Sequence, residues 1–128
     1  MEAFAAKSIA VQAPTIMSPD PTSRWRIVPG IGVEHSTDGG ATWQLQSTGV
    51  ATTPTAGAAP AAAICWLVGP GGLVLLTIDG RTWTPVSAPD TIDLTAVRAS
   101  DAANATVTAA DGRTFVTSDG GKTWRRID

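Results

Sequence analysis

One phrase recurs along this chain and limits what it can fold into. Ser36-Thr37-Asp38-Gly39-Gly40-Ala41-Thr42-Trp43 returns as Thr117-Ser118-Asp119-Gly120-Gly121-Lys122-Thr123-Trp124, and a shortened copy, Thr77-Ile78-Asp79-Gly80-Arg81-Thr82-Trp83, lies between them. The aspartates fall about 40 residues apart, the spacing of a supersecondary unit stacked repeatedly on itself. Aligning them without gaps also brings Trp25 onto Trp66, Pro29 onto Pro70, Gly30 onto Gly71 and Val33 onto Val74. The units run over about 13–47, 54–87 and 94–127, in one domain spanning 13–128. Residues 1–12 remain as an N-terminal extension, whose stretch Ala3–Val11 could add a strand.

Within each unit, short apolar runs alternate with turn chemistry, which reads as strands. The third unit predicts Leu94–Ala99, Ala105–Ala110, Arg113–Ser118 and Thr123–Ile127, with Asp111-Gly112 as a tight hairpin turn. The second predicts Thr55–Ala59, Ile64–Val68, Leu73–Ile78 and Thr82–Val86. The first predicts Thr15–Ser18, Trp25–Val28, Gly32–Thr37 and Thr42–Gln46. Four strands in about 40 residues is the dimension of a β-propeller blade. The fold class expected is all-β, with three four-stranded blades forming a partial propeller or a ring closed by oligomerisation. Gly69-Pro70-Gly71-Gly72 precedes a strand and reads as a hairpin turn, not a phosphate loop. Gly49–Ala63 reads as the least regular connection, although its alanine-rich half aligns with the first strand of the third unit.

The repeated phrase has a physical logic. A carboxylate at the end of the third strand can accept backbone N–H groups ahead of it and close an Asx-type turn. Glycine supplies a backbone angle that a β-carbon would penalise. Threonine restarts the extended chain, and tryptophan folds over the hairpin, where burying roughly 150–250 Å² contributes on the order of 4–6 kcal/mol at most. Asp38, Gly40, Thr42 and Trp43, then Asp79, Gly80, Thr82 and Trp83, then Asp119, Gly121, Thr123 and Trp124 are therefore read as structural. The middle copy lacks one residue between Asp79 and Trp83, so it is expected to be the most tolerant of substitution. A calcium loop fits poorly, because each copy offers a single carboxylate where calcium takes six to eight oxygens. The pattern S/T-x-D-x-G-x-T-W resembles the Asp-box, the repeat named after bacterial neuraminidases. That resemblance implies peripheral hairpins placed away from any catalytic centre.

Composition excludes several classes. The 128 residues carry 9 basic and 11 acidic side chains for a net charge of −2, with no footprint for nucleic acid. Lys122, Arg125 and Arg126 form the local basic group and are read as a solvated edge. Cys65 is the one cysteine, expected in the core, so neither an internal disulfide nor a cysteine metal cluster can form. The chain opens without a signal-peptide pattern and holds no membrane-length apolar run, so membrane attachment would need a segment absent from it.

A sialidase, the enzyme associated with this repeat, would need a tyrosine nucleophile with a glutamate partner, an arginine triad and an acid–base aspartate. The chain has no tyrosine, and its glutamates are Glu2 and Glu34. Glu34 and Asp93 would make a two-carboxylate hydrolase only if the fold brought them together. His35, the single histidine, aligns with Leu76 and Val116 and is expected on a packed face. No catalytic residue, cofactor site or metal site is expected. Arg24-Trp25-Arg26-Ile27-Val28, Gly32 through Trp43, Cys65-Trp66-Leu67-Val68-Gly69 and Gly72 through Trp83 are similar to the photosystem II stability/assembly factor family of propellers. That resemblance implies a non-catalytic protein-interaction or assembly module in an extracytoplasmic (periplasmic or cell-surface) setting. The alternative is a carbohydrate-binding module, with Trp25 and Trp66 as the interaction surface. Three blades leave two end faces. Each is expected to carry apolar residues, so a homodimer closing a six-bladed ring is favoured over open-ended stacking or a cap formed by Ala3–Val11.

Overall fold

The computed structural model describes residues 15–29 and 32–127; the strand expected within 1–12 lies outside them. Strands β1 (Thr15–Met17), β2 (Arg24–Val28), β3 (Gly32–Ser36) and β4 (Gln44–Gln46) form the first sheet. The second contains β5 (Ala56–Ala61), β6 (Ile64–Gly69), β7 (Leu73–Thr77) and β8 (Thr84–Pro85). The third contains β9 (Leu94–Ala99), β10 (Ala105–Ala109), β11 (Thr114–Thr117) and β12 (Arg125–Arg126). Each sheet is an antiparallel meander of four strands in chain order, so the all-β, three-blade architecture is present. Pro70–Gly72 forms a single 3₁₀ turn between β6 and β7, the hairpin role expected of that glycine run.

Two boundaries differ from expectation. The outer strands begin after the tryptophan rather than before it, because the threonine amide is already bonded to the aspartate carboxylate and cannot join the ladder. The strand expected at Thr55–Ala59 forms as β5, shifted to Ala56–Ala61, with a bulge at its far end where Pro60 lacks a ladder donor. As the inner strand of the middle sheet, β5 lies beside both β1 and β9, and this crowding selects small residues. A Cβ on Gly57 would collide with Ile16 Cδ1 and Leu67 Cδ2.

Register divides each sheet into two faces, because directly paired residues project to the same side. Trp25, Ile27 and Val33 of the first sheet pack against Cys65, Leu67 and Leu75 of the second. The opposite face of the second sheet sends Trp66, Val68 and Val74 against Val97, Val107 and Phe115 of the third. The middle sheet is thus buried on both sides, which explains the unbroken apolar run of β6.

The outermost faces break this pattern. Position by position, the row Gly57–Leu67–Leu75–Pro85 of the second sheet and Val97–Val107–Phe115–Arg126 of the third correspond to Thr15–Arg26–Glu34–Leu45 in the first. An ion pair, Arg26 Nε to Glu34 Oε1 at 2.6 Å, stands where the other sheets carry an apolar pair. At the other end, Trp25, Ile27 and Val33 correspond to Thr106, Thr108 and Thr114. These substitutions make the two outer faces more polar than the faces buried between sheets, although Leu45 and Ile127 stay exposed.

Trp25 and Trp66 have no exposed surface, whereas Trp43 is half-buried. Trp25→Ala and Trp66→Ala are each expected to cost about 3–5 kcal/mol, the usual range for a buried aromatic truncation. Trp43→Ala should cost less than either. Denaturant titration of the three variants measures the order, and a larger loss for Trp43→Ala would contradict this packing.

Candidate functional site

The repeated turns are closed by the same bonds in the first and third sheets. Ser36 Oγ donates to Asp38 Oδ1 at 2.8 Å and accepts the Gly40 N–H at 2.8 Å, while Asp38 Oδ1 accepts the Thr42 N–H at 2.9 Å. Thr117 Oγ1, Asp119, Gly121 and Thr123 repeat this arrangement at 2.7, 2.9 and 3.0 Å. Gly39 and Gly40, and likewise Gly120 and Gly121, have positive φ, the backbone the turn requires. The shortened copy has one glycine of that kind, Gly80, and Asp79 accepts the amides of Arg81 and Thr82 directly, each at 2.8 Å.

The tryptophans of these turns are not equivalent. Trp43 Nε1 donates to Gly40 O within its own turn. Trp83 Nε1 donates to Gln46 Oε1 at 2.9 Å, and Gln46 Nε2 donates to Gly80 O at 2.6 Å, so Gln46 ties the first sheet to the second. Trp124 Nε1 donates to Ser87 O at 2.7 Å, tying the second to the third. The middle turn keeps fewer bonds of its own, but its Trp83 is the most buried of the three turn tryptophans, at 6 % exposed. Gln46 was hidden from sequence reasoning because its partners lie in the next repeat.

Turn bonds hold the three carboxylates in the ionised form. Hydrogen bonds from the Thr42 hydroxyl and amide lower Asp38 to about 2, those from Thr123 lower Asp119 to about 2, and those from the Thr82 and Arg81 amides lower Asp79 to about 2. None of the three can hold a proton as a general acid near neutrality. His35 stacks on Trp25 with ring centroids 4.2 Å apart, and its Nε2 lies 3.0 Å from Ser23 Oγ. Burial lowers its pKa, against an opposing bond to the Gly80 backbone. Ser23 Oγ donates to Ala62 O at 2.6 Å, so its proton points away from the imidazole and no activated serine results. The Ser23 contact was likewise absent from the sequence reading.

Glu34 pairs with Arg26 in the first sheet, and Asp93 accepts the Gly71 amide beside the third, so the imagined carboxylate pair is not assembled. Cys65 is buried, and burial pushes its thiol pKa up. Among the described residues, no group of three or more His, Cys, Asp or Glu side chains could hold a metal ion, and no helix is long and apolar enough to cross a membrane.

Trp25 and Trp66 are corrected as an interaction surface, since both lie wholly inside the core. The Arg26 guanidinium covers the Trp43 ring at 4.2 Å from its centroid, and Trp124 meets Trp66 edge to face at 6.4 Å. Concave clefts open between the sheets. One of 620 Å³ between β8 and the last turn is lined by Leu76, Ile78, Pro85, Val86 and Lys122.

The BNR/Asp-box repeat family matches residues 34–45 and 115–126, which are the two full-length turns. The chain carries Asp-box repeats. Comparison with curated proteins gives no match. Among solved structures, the chain is similar to YCF48 bound to D1 peptide, with TM-score 0.75 and 19% identity over 90% of this chain and 42% of that one. It is also similar to YCF48 from Cyanidioschyzon merolae, with TM-score 0.75 and 23% identity over 88% of this chain and 35% of that one. A GH74 xyloglucanase from Xanthomonas campestris shares the fold more distantly, with TM-score 0.62 and 22% identity over 91% of this chain and 19% of that one. The Asp-box chain therefore spans less than half of each of these structures, and at such identities the likeness is one of fold.

The bonded Asp-box carboxylates set the response to acid. Their pKa values lie below the ordinary 3.8, so their stabilisation is fully present above that pH and is lost as pH falls towards 2. Thermal unfolding should be nearly flat above about pH 5 and decline steeply below about pH 4. Asp119→Asn should lower the neutral midpoint and reduce the acid slope, though only in part, because Asp20, Asp90, Asp101 and Asp111 are lowered too. An unchanged slope would contradict the assignment.

Proposed function

We propose that this chain is a non-catalytic protein-interaction module of the assembly-factor propeller type, working in an extracytoplasmic setting. The observation that carries the reading is the commitment of every Asp-box carboxylate to its own turn, with His35 and Cys65 packed inward. What remains available to a partner is sheet surface and inter-sheet cleft. A propeller of this fold bound to a peptide supports the same reading, while the distant xyloglucanase likeness is one of fold, and Glu34 and Asp93 are not brought together here. The sugar-binding alternative has less support, because Trp25, Trp66 and Trp83 are buried and Trp43 and Trp124 are half-buried, Trp43 beneath the Arg26 guanidinium.

Parallel screening of a glycan array and a random-peptide display library tests the proposal. Reproducible peptide selection without saturable glycan binding is expected. Saturable sugar binding removed by Trp43→Ala or Trp124→Ala, or hydrolysis of a glycan substrate, would overturn it.

A further inference from the structure

One cross-strand row distinguishes the last sheet from the others. In the first sheet the row reads Ile16–Trp25–His35–Gln44, and in the second Ala58–Trp66–Leu76–Thr84. Both lie on faces covered by the following sheet. In the third sheet the corresponding row reads Arg98–Thr106–Val116–Arg125, and no described sheet follows it. Arg98 and Arg125 are exposed, and neither pairs with a carboxylate among the described residues. The neighbouring Asp101 is occupied by the amides of Ala103 and Asn104. Two hollows of about 330 and 320 Å³ adjoin along the row, sharing Asn104 and Val116, with Arg98 lining one and Arg125 the other.

We propose that this row is a docking site for an extended acidic peptide segment of a partner protein, lying across the strands with carboxylates at positions i and i+4. The proposal deepens the interaction-module reading and rests on it. Charge selects the partner. Another apolar blade would bury two guanidinium groups without counter-charges, which is strongly unfavourable, whereas carboxylates can pair with them through two parallel hydrogen bonds each. Geometry selects the spacing. Three strand intervals of about 4.8 Å separate the two arginines by about 14 Å, and an extended chain covers about 13 Å in four residues while returning its side chain to the same face. The side chain at i+2 then meets Thr106 and Val116, which suits a small aliphatic residue. Sequence reading placed Arg125 on a solvated edge and did not single out Arg98, because only the register brings the two into one row.

The test is fluorescence anisotropy of the full chain with a labelled peptide containing Glu-Thr-Val-Thr-Glu. Controls replace both glutamates by glutamine or move the second to i+5, which turns it to the opposite face. Binding that weakens with added salt, and by about tenfold or more for either control and for Arg98→Gln/Arg125→Gln, is expected. Arg98→Lys/Arg125→Lys should fall between, retaining charge without the planar fork. Both arginines are exposed, so circular dichroism should show every variant folded. Absent or unselective peptide binding would overturn the site, as would preferential binding to phosphatidylserine vesicles or a head-to-tail dimer covering this face. If display-selected peptides bind the glutamine variant as tightly as the parent chain, the interaction-module reading survives and this site does not.

Discussion

Face-to-face burial of Trp25 and Trp66 between successive sheets is the interaction on which the rest of the structure depends. Each indole removes roughly 150–250 Å² from water, worth on the order of 4–6 kcal/mol as an upper bound. No single bond in a turn approaches that. Trp66 also donates its indole N–H to Asp101 O of the third sheet at 3.1 Å, so packing and a directed bond fix the same geometry. Trp25 has no such acceptor and is held by the stacked His35. In a stack of this kind each repeat stabilises its neighbours, and the outermost faces must be made compatible with water. Arg26–Glu34 at one end, and Thr106, Thr108 and Thr114 at the other, answer that requirement with polar groups on an otherwise repeated scaffold.

The Asp-boxes act on top of this packing as clips. Their carboxylates organise turns, and their tryptophans reach backwards to the preceding sheet in two of three cases, through Gln46 and through Ser87 O. The exception is informative. Trp43 belongs to the first described sheet, with no described sheet before it, and bonds to its own turn beneath the Arg26 guanidinium. A motif that looks uniform in sequence therefore takes three environments, decided by what stands before it in the stack.

The strands and turns were largely legible because they rest on local chemistry. Alternation, Asp-Gly turns and the repeated phrase each act within a few residues. Trp25 and Trp66 were misplaced for the opposite reason. A middle sheet buried on both faces loses its alternation, and nothing local shows that a neighbouring repeat will cover a tryptophan. Gln46, Ser23 and Arg98 were invisible as well. The first two act on partners in the next repeat, and Arg98 matters only through a register running across four strands. The short middle box does keep fewer turn bonds, as its deletion suggested, while the support of Trp83 by Gln46 from outside was not legible.

The polar rows on the two outer faces predict that this chain, taken alone, does not pair through them. Sedimentation equilibrium over a micromolar to near-millimolar range measures this most directly. A single species at 13.1 kDa throughout is the expected result. A discrete species of twice that mass that dissociates when Thr106 or Thr114 is replaced by lysine would contradict it, by showing that the polar end face is a ring interface after all.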